Sequence, residues 1–262
     1  MPDVVVRALD ARERREFEPQ VRALEAGIDY PLGHDRFEID HGSDYYAFFE
    51  RMGQLELLAA FQDGELVGLL AFVLRELPDG PGWYACDLKV RADRRGLGLA
   101  RHMFDAVPTA WVARSPRCYS ISMNPGDGSP NPIVDLAEAR TPVRPVGELT
   151  FYSLAESELA DARPLLTRHR GPVGTLSLAG IKDIVLRSTG APMPLVHLQW
   201  GTLAERGEEV ALPDATFMLC TPSGDALDQA LAGAGLSPSA TATVLAFGPF
   251  TRPWDWVLTS DI

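Results

Sequence analysis

Two apolar segments joined by a tight turn constrain this chain more than any other feature. Residues 55–61 and 66–74 are apolar almost throughout, and Asp63-Gly64 between them supplies the left-handed backbone of a hairpin turn. A strand with one face in solvent alternates polar and apolar residues, but neither of these two segments alternates in this way. The hairpin therefore predicts a sheet that is covered on both faces.

Strand and helix signals continue on both sides of the hairpin. The sequence predicts strands over 4–9, 83–90, 117–123, 149–154, 195–200, 215–220, 240–247 and 256–260, and helices after Asp10 and over 99–107, 155–169 and 225–232. Residues 27–46 are rich in turn formers and are interpreted as a loop. The order predicts an α/β fold in two units, residues 1–148 and residues 149–262.

Composition excludes several classes of protein. Acidic residues number 36 against 24 basic ones, so the net charge of −12 argues against a nucleic-acid partner. The longest clean apolar run, 66–74, is far shorter than the ~20 residues that span a bilayer. The N-terminus shows no signal peptide, and the three cysteines have no CxxC spacing, which favours reduced thiols and a cytoplasmic location.

The five histidines show no metal-ligand spacing, so we expect no metal. Only two basic residues are lysines, Lys89 and Lys182, which we interpret as a bias of genome composition.

One segment has the pattern of an anion-binding turn. A predicted strand leads into Arg95-Gly96-Leu97-Gly98-Leu99-Ala100 and then into a helix. Glycines bring several backbone N–H groups close to one ligand, and a helix N-terminus adds partial positive charge. Arg94 and Arg95 would add charged hydrogen bonds. The Walker pattern is absent and the Rossmann pattern does not fit, so we expect neither of those nucleotide sites.

This segment resembles the pyrophosphate loop of the GNAT superfamily of N-acetyltransferases. The family signature, Gln/Arg-x-x-Gly-x-Gly/Ala, is met by Arg95, Gly98 and Ala100. The hairpin around residues 63–68 resembles the second and third strands of the family, and the likeness spans about residues 4–124. The resemblance implies a mixed, mainly antiparallel central sheet flanked by helices.

The resemblance also implies acyl transfer from acetyl-CoA or a related acyl-CoA to an amine, with no covalent enzyme intermediate. The CoA pyrophosphate would be held by the backbone amides of Arg95, Gly96, Leu97, Gly98, Leu99 and Ala100. Free backbone groups of Leu88, Lys89 and Val90 would bind the pantetheine arm, and an N–H there would stabilise the oxyanion.

The family position of the general base corresponds to Asp87 on the third strand. Strict alternation would place Asp87 and Lys89 on one face and Cys86 on the other. A salt-bridged or solvated surface acid is the alternative for Asp87. The tyrosine that usually serves as general acid has no clear equivalent here, so Tyr119 is a substitute candidate. Asn124 could contact CoA or simply form a turn.

The acceptor is expected to be a small-molecule amine bound by a monomer or a homodimer. The candidate substrate residues lie in the polar, aromatic segment 27–46 and are Asp29, Tyr30, His34, Asp35 and Tyr46. A plain surface loop is the alternative for this segment. Two other functions stay open, namely a protein N-acetyltransferase and a non-catalytic acyl-CoA-binding or regulatory module.

The second unit contains no matching glycine loop. Its opening, a strand ending at Leu154 followed by an acidic helix, repeats the pattern of the strand ending at Leu9. A degenerate second GNAT-like copy, an unrelated accessory domain, and a set of strands that completes the first sheet are the three interpretations.

Overall fold

Strands account for much of the computed structural model, which describes residues 4–32, 35–205 and 212–262. The strands are β1 (Val4–Leu9), β2 (Tyr30–Leu32), β3 (Asp35–Asp40), β4 (Gln54–Gln62), β5 (Glu65–Leu77), β6 (Gly80–Val90), β7 (Cys118–Met123), β8 (Arg144–Leu154), β9 (Gly174–Leu176), β10 (Asp183–Leu186), β11 (Leu195–Gln199), β12 (Thr216–Pro222) and β13 (Ala240–Phe247). The helices are α1 (Ala11–Glu25), α2 (Ala47–Glu50), α3 (Leu99–Asp105), α4 (Thr109–Arg114), α5 (Pro132–Arg140), α6 (Glu156–Arg170) and α7 (Ala226–Gly233).

Ten of these strands form one mixed sheet in the order β1-β4-β5-β6-β7-β13-β8-β12-β11-β9. Neighbours are antiparallel except for the pairs β6/β7 and β11/β12, which are parallel. A smaller sheet, β10-β3-β2, joins a strand of the second half to two strands of the first. The mainly antiparallel sheet with flanking helices confirms the predicted fold class.

Local sequence signals explain how the first elements begin and turn. The Asp10 carboxylate caps α1 by accepting hydrogen bonds from two backbone amides, and Glu13 completes the capping box. Asp63 and Gly64 have φ values of 52° and 82°, the left-handed conformation that joins β4 to β5. The predicted helix and hairpin are therefore confirmed.

Apolar side chains cover both faces of the hairpin strands. On one face Leu58 and Leu70 pack against Met103 of α3. On the other face Leu57 and Leu69 belong to a larger core. This second core also contains residues of α1 and of the second half of the chain. The prediction that both faces are covered is confirmed.

The second half continues the sheet of the first half at its centre. β7 leads through α5 into β8, which pairs with β12 of the second half. β12 leads through α7 into β13, which pairs with β7 of the first half. The centre is symmetric in its order: a parallel pair, two antiparallel strands, and a second parallel pair. The second half thus has the layout of a partial repeat and also extends the first sheet.

A segment without strand structure, residues 254–261, lies against this sheet and reaches both halves. Asp261 contacts Arg75 on β5, while the adjacent Ser260 accepts a hydrogen bond from Gln199 on β11. In a flat sheet these strands would lie roughly 30 Å apart at the usual spacing. The sheet must therefore curve strongly around segment 254–261.

Two sequence predictions of secondary structure are wrong. Residues 27–46 contain β2 and β3 rather than a plain loop, because β3 pairs with β10, about 145 residues away along the chain. Residues 256–260 form short 3-10 turns instead of a strand, since their polar groups bond to side chains and carbonyls of the sheet face. The boundary proposed at residues 148 and 149 falls inside β8.

We expect His197 to make the stability of the fold depend on pH. Its ring is buried beside Thr259, and burial lowers the pKa of His197 to about 3. An unfolded histidine titrates near 6.5, so below that pH only the unfolded state takes up the proton. Stability is thus fully present above pH 6.5 and falls as the pH decreases. Urea unfolding should show that wild type loses about 2 kcal/mol more than His197→Gln between pH 7 and pH 5. Equal losses in the two proteins would contradict this assignment.

Candidate active site

The glycine-rich segment after β6 forms an open turn. A 3-10 turn over Ala92–Arg94 leads into Gly96 and Gly98, whose φ values are 75° and 81°, and α3 begins at Leu99. A Cβ added to either glycine would meet no atom within 4 Å, so the space over the turn is open. Glycine is required here for the left-handed backbone rather than for lack of room. Such a turn can present successive amides to an anion.

The arginines around this turn differ in how they are engaged. Arg91 bonds to Asp93 and Glu65, and Arg94 bonds to Asp93 and to Gln62 Oε1 at 2.7 Å. Arg95 makes no ion pair within the described residues, and its Nε donates to the carbonyl of its own strand end at 3.1 Å. Of the two predicted phosphate-binding arginines, Arg95 is therefore the one whose charge is not already neutralised.

β6 and β7 separate beside this turn. Their register contains only two pairs, Trp83 with Cys118 and Tyr84 with Tyr119. From residue 85 to residue 90, no described strand pairs with β6 on that side, so backbone groups of Leu88, Lys89 and Val90 face a gap. The gap and the glycine turn lie at the same end of β6. A long ligand could thus bond to the strand edge and to the turn together.

A β-bulge at Asp87 changes which side chains of β6 face which core. The register against β5 shifts between Leu69 and Ala71, and Asp87 has a φ of 53°. Beyond the bulge, Leu88 packs with the core on the α3 side, while Lys89 turns towards α1. The predicted strict alternation is therefore wrong past Cys86, because the extra residue reverses the order of faces.

Asp87 belongs to a buried polar cluster. Its side chain is 7% exposed, its Oδ1 contacts the Lys89 ammonium, and its Oδ2 accepts a hydrogen bond of 2.8 Å from the Tyr45 hydroxyl. Lys89 is 1% exposed and its Nζ also lies 3.3 Å from Glu25 Oε1. Glu25 Oε2 in turn lies 3.1 Å from His41 Nε2. We call Asp87, Tyr45, Lys89, Glu25 and His41 the acid–lysine cluster.

Electrostatics hold this cluster in a charged state. Burial acts to lower the pKa of Lys89, but its neighbours together, Asp87 first among them, outweigh burial, so the pKa is raised. Burial acts to raise the pKa of Glu25, but His41 and Lys89 outweigh it, so the pKa is lowered. Burial, reinforced by the charge of Asp87, raises the pKa of Tyr45 well above its usual value. Near neutral pH the lysine is therefore cationic, Glu25 is anionic, and the tyrosine keeps its proton.

Tyr119 lies at the apex where β6 and β7 separate. Its ring stacks on Tyr84 with centroids 4.9 Å apart, and it contacts Trp254 and Trp256 of segment 254–261. Its hydroxyl accepts a hydrogen bond of 2.9 Å from Arg75. Burial raises the pKa of Tyr119, although Arg75 opposes the shift. The phenol is therefore protonated at neutral pH, and its own proton is available to a neighbouring acceptor.

The predicted substrate residues are dispersed. Asp29 pairs with Arg36 on the smaller sheet, and Asp35 accepts from Ser188. The buried Tyr46 donates its hydroxyl proton to the carbonyl of Arg14. Tyr30 lies near the acid–lysine cluster, where burial raises its pKa to about 12. His34 lies outside the described residues.

Asn124 is held at the end of β7 by its own contacts. Its Nδ2 donates to Thr241 and Glu148, and its Oδ1 accepts from Asn131 and Thr243. These bonds use the whole side-chain amide. They favour the turn-forming interpretation of Asn124 over a CoA contact.

The arrangement at β6 offers two kinds of binding group. The open glycine turn suits a pyrophosphate, and the unpaired strand edge suits an amide-containing arm.

Within residues 4–32, 35–205 and 212–262, no cluster of three or more His, Cys, Asp or Glu side chains is placed to hold a metal ion. None of the helices described is long and apolar enough to cross a membrane.

A curved mixed sheet, a pair of parallel strands that separate, and a glycine turn at the end of one of them occur together in this chain. Residues 22–126 match the family model described as the acetyltransferase (GNAT) family. A tandem GNAT protein from the clavulanic acid biosynthesis pathway is similar in fold, with a TM-score of 0.53 at 12% identity. The similarity covers 95% of this chain and 100% of that one, which extends the GNAT-like fold to the second half.

Two further solved structures overlap part of the chain. A putative streptothricin acetyltransferase from Bacillus anthracis, in complex with acetyl coenzyme A, has a TM-score of 0.36 at 10% identity. The similarity covers 56% of this chain and 87% of that one. An aminoglycoside acetyltransferase from an uncultured soil metagenomic sample, in complex with sisomicin, has a TM-score of 0.39 at 15% identity. The similarity covers 52% of this chain and 86% of that one. No curated protein matches the chain.

Proposed function

We propose that this chain is an acyl-CoA-dependent N-acyltransferase that moves an acetyl or related acyl group to the amine of a small molecule. One observation carries the proposal: the unpaired edge of β6 connects an open glycine turn to the carboxylate of Asp87. A ligand-holding surface and a group able to accept a proton thus lie on one strand.

Binding would use the backbone more than the side chains. The amides from Arg95 to Ala100 hold the pyrophosphate, and the Arg95 guanidinium adds charge. The free edge of Leu88, Lys89 and Val90 bonds to the pantetheine arm. When bound, acyl-CoA supplies a thioester carbon that an amine can attack.

The side chains of the site would then move protons. An acceptor amine is protonated at neutral pH, and Asp87 takes its proton, held in place by Tyr45 and Lys89. Tyr119 donates its phenolic proton to the departing thiolate, while Arg75 fixes the hydroxyl oxygen. Since Asp87 turns towards α1, the acceptor approaches from that face, beside Tyr30. Asp29, Asp35 and Tyr46 are engaged within the fold, so they shape this face rather than bind the amine.

The test combines CoA titration calorimetry with thiol release from acetyl-CoA in the presence of a panel of amines. Wild type should bind CoA and release thiol with at least one amine. Gly98→Trp should bind CoA at least tenfold more weakly, because the indole fills the open space over the turn. Gly235→Trp is the matched control, since Gly235 has a similar φ of 84° and equally open surroundings but lies after α7.

Each outcome decides between the functions. CoA binding without thiol release from any amine would favour a non-catalytic binding module. Equal CoA affinity in Gly98→Trp and wild type would remove the glycine turn from the site.

A further inference from the structure

The acid–lysine cluster extends from the gap beside β6 to a separate cavity of about 160 Å³. Glu25 and His41 line this cavity together with Arg22, Glu38 and Asp40. Asp87 and Lys89 lie at the other end of the cluster, on the strand that faces the gap. The cluster is therefore a continuous row of titratable groups between two different openings of the fold.

Each side chain in this row is in contact with the next one. Asp87 meets Lys89, Lys89 lies 3.3 Å from Glu25, and Glu25 lies 3.1 Å from His41. Buried ionisable groups usually find full hydrogen-bond partners. Here Glu25 Oε1 and both ring nitrogens of His41 are buried without a well-formed hydrogen bond to any described residue. Such atoms cost stability, so each one calls for an explanation.

The cluster holds more acids than amines. Two carboxylates, those of Asp87 and Glu25, contact one ammonium, that of Lys89. Arg22 approaches the Tyr45 ring but pairs with Glu18. His41, at the other end of the row, is the basic side chain of the cluster that also lines the cavity.

We propose that the acid–lysine cluster is a proton relay that carries the acceptor's proton from Asp87 to the cavity at His41. The proposal rests on the acyltransferase function proposed above. The N–H bond of the acceptor ammonium breaks and an O–H bond forms on Asp87. Lys89 takes this proton as it gives one of its own to Glu25, and Glu25 passes it to His41. His41 takes it on Nε2, which lies beside Glu25, and releases the proton of its other ring nitrogen to solvent in the cavity. Exchange of the ring protons with that solvent restores the starting tautomer, so every side chain returns to its starting state.

The kinetic test is His41→Ala with imidazole added back. Thiol release should fall at least tenfold with unchanged CoA affinity, and its dependence on pH should change shape. The vacated ring position adjoins the cavity, so free imidazole should restore most of the rate. His169→Ala, on the outer part of α6, should show neither effect. Loss of turnover without imidazole rescue would make His41 a packing residue and overturn the relay.

A second measurement does not require turnover. The ring ¹⁵N signals of His41, recorded at one pH near neutrality, should shift in Asp87→Asn, because Lys89 then pairs with Glu25 alone. The same change in a Glu25→Gln background should leave these signals in place. Ring ¹⁵N signals of His41 that do not change in Asp87→Asn would refute the relay, whether or not an acceptor is found. An absence of acyl transfer in wild type would instead refute the proposed function.

Discussion

Asp87→Asn is expected to lose about 10²- to 10⁴-fold in thiol release while CoA affinity is unchanged. The amide cannot take a proton from the acceptor ammonium, yet it has nearly the same shape as the carboxylate. Asparagine also tolerates the left-handed φ of 53°, whereas alanine would add backbone strain. The measurement is steady-state kinetics with acetyl-CoA and the best amine of the panel.

Asp63→Asn is the matched control for this prediction. Asp63 has an almost identical φ of 52°, but it lies in the exposed turn between β4 and β5. Its variant should keep wild-type turnover. Normal turnover in Asp87→Asn would show that another group, or solvent alone, accepts the proton.

Arg75→Met should produce the largest loss of stability. Arg75 is 5% exposed and Asp261 is 2% exposed, and their Nη2 and Oδ2 atoms lie 2.9 Å apart. The substitution leaves the Asp261 carboxylate buried, with the Arg51 guanidinium 3.8 Å away as its remaining cation. Removing one partner of a buried pair costs about 3–5 kcal/mol. Thermal unfolding should therefore shift down by on the order of 10 °C.

Two variants separate charge burial from simple loss of packing. Adding Asp261→Asn to Arg75→Met should recover part of the stability, because the uncompensated charge is gone. Arg187→Met breaks an ion pair with Glu38 whose side chains are largely exposed, so its cost should stay below about 1 kcal/mol. An Arg75→Met variant that unfolds at the wild-type temperature would show that segment 254–261 does not hold the halves together.

Local signals in the sequence were sufficient for several helix starts and turns of the first half. The capping Asp10, the Asp63-Gly64 turn and the glycines of residues 96 and 98 act through their own backbone, so neighbouring residues determine them. The strands of residues 27–46 were missed because β3 depends on pairing with β10. The pairing of β13 with β7 was likewise not visible, since nothing in a strand's own residues specifies its neighbour in the sheet.

The acid–lysine cluster was missed for a related reason. Asp87 was named from the resemblance, but Glu25, His41 and Tyr45 join it only through packing of α1 and the smaller sheet. One sequence signal bears on this cluster. Lys89 and Lys182 are the only lysines, and the first is buried while the second lies 4.0 Å above the Phe48 ring. A rare lysine inside a predicted strand is thus a residue to examine for a buried ion pair.

One strand near the end of the chain joins the two halves. β13 of the second half pairs with β7 of the first half on one side and with β8 on the other. If the chain is cut between β7 and β8, each fragment exposes a full row of unpaired backbone groups, which is a template for aggregation. We therefore expect either half to aggregate when it is produced alone. The second half then serves as framework for the first sheet, whatever it binds.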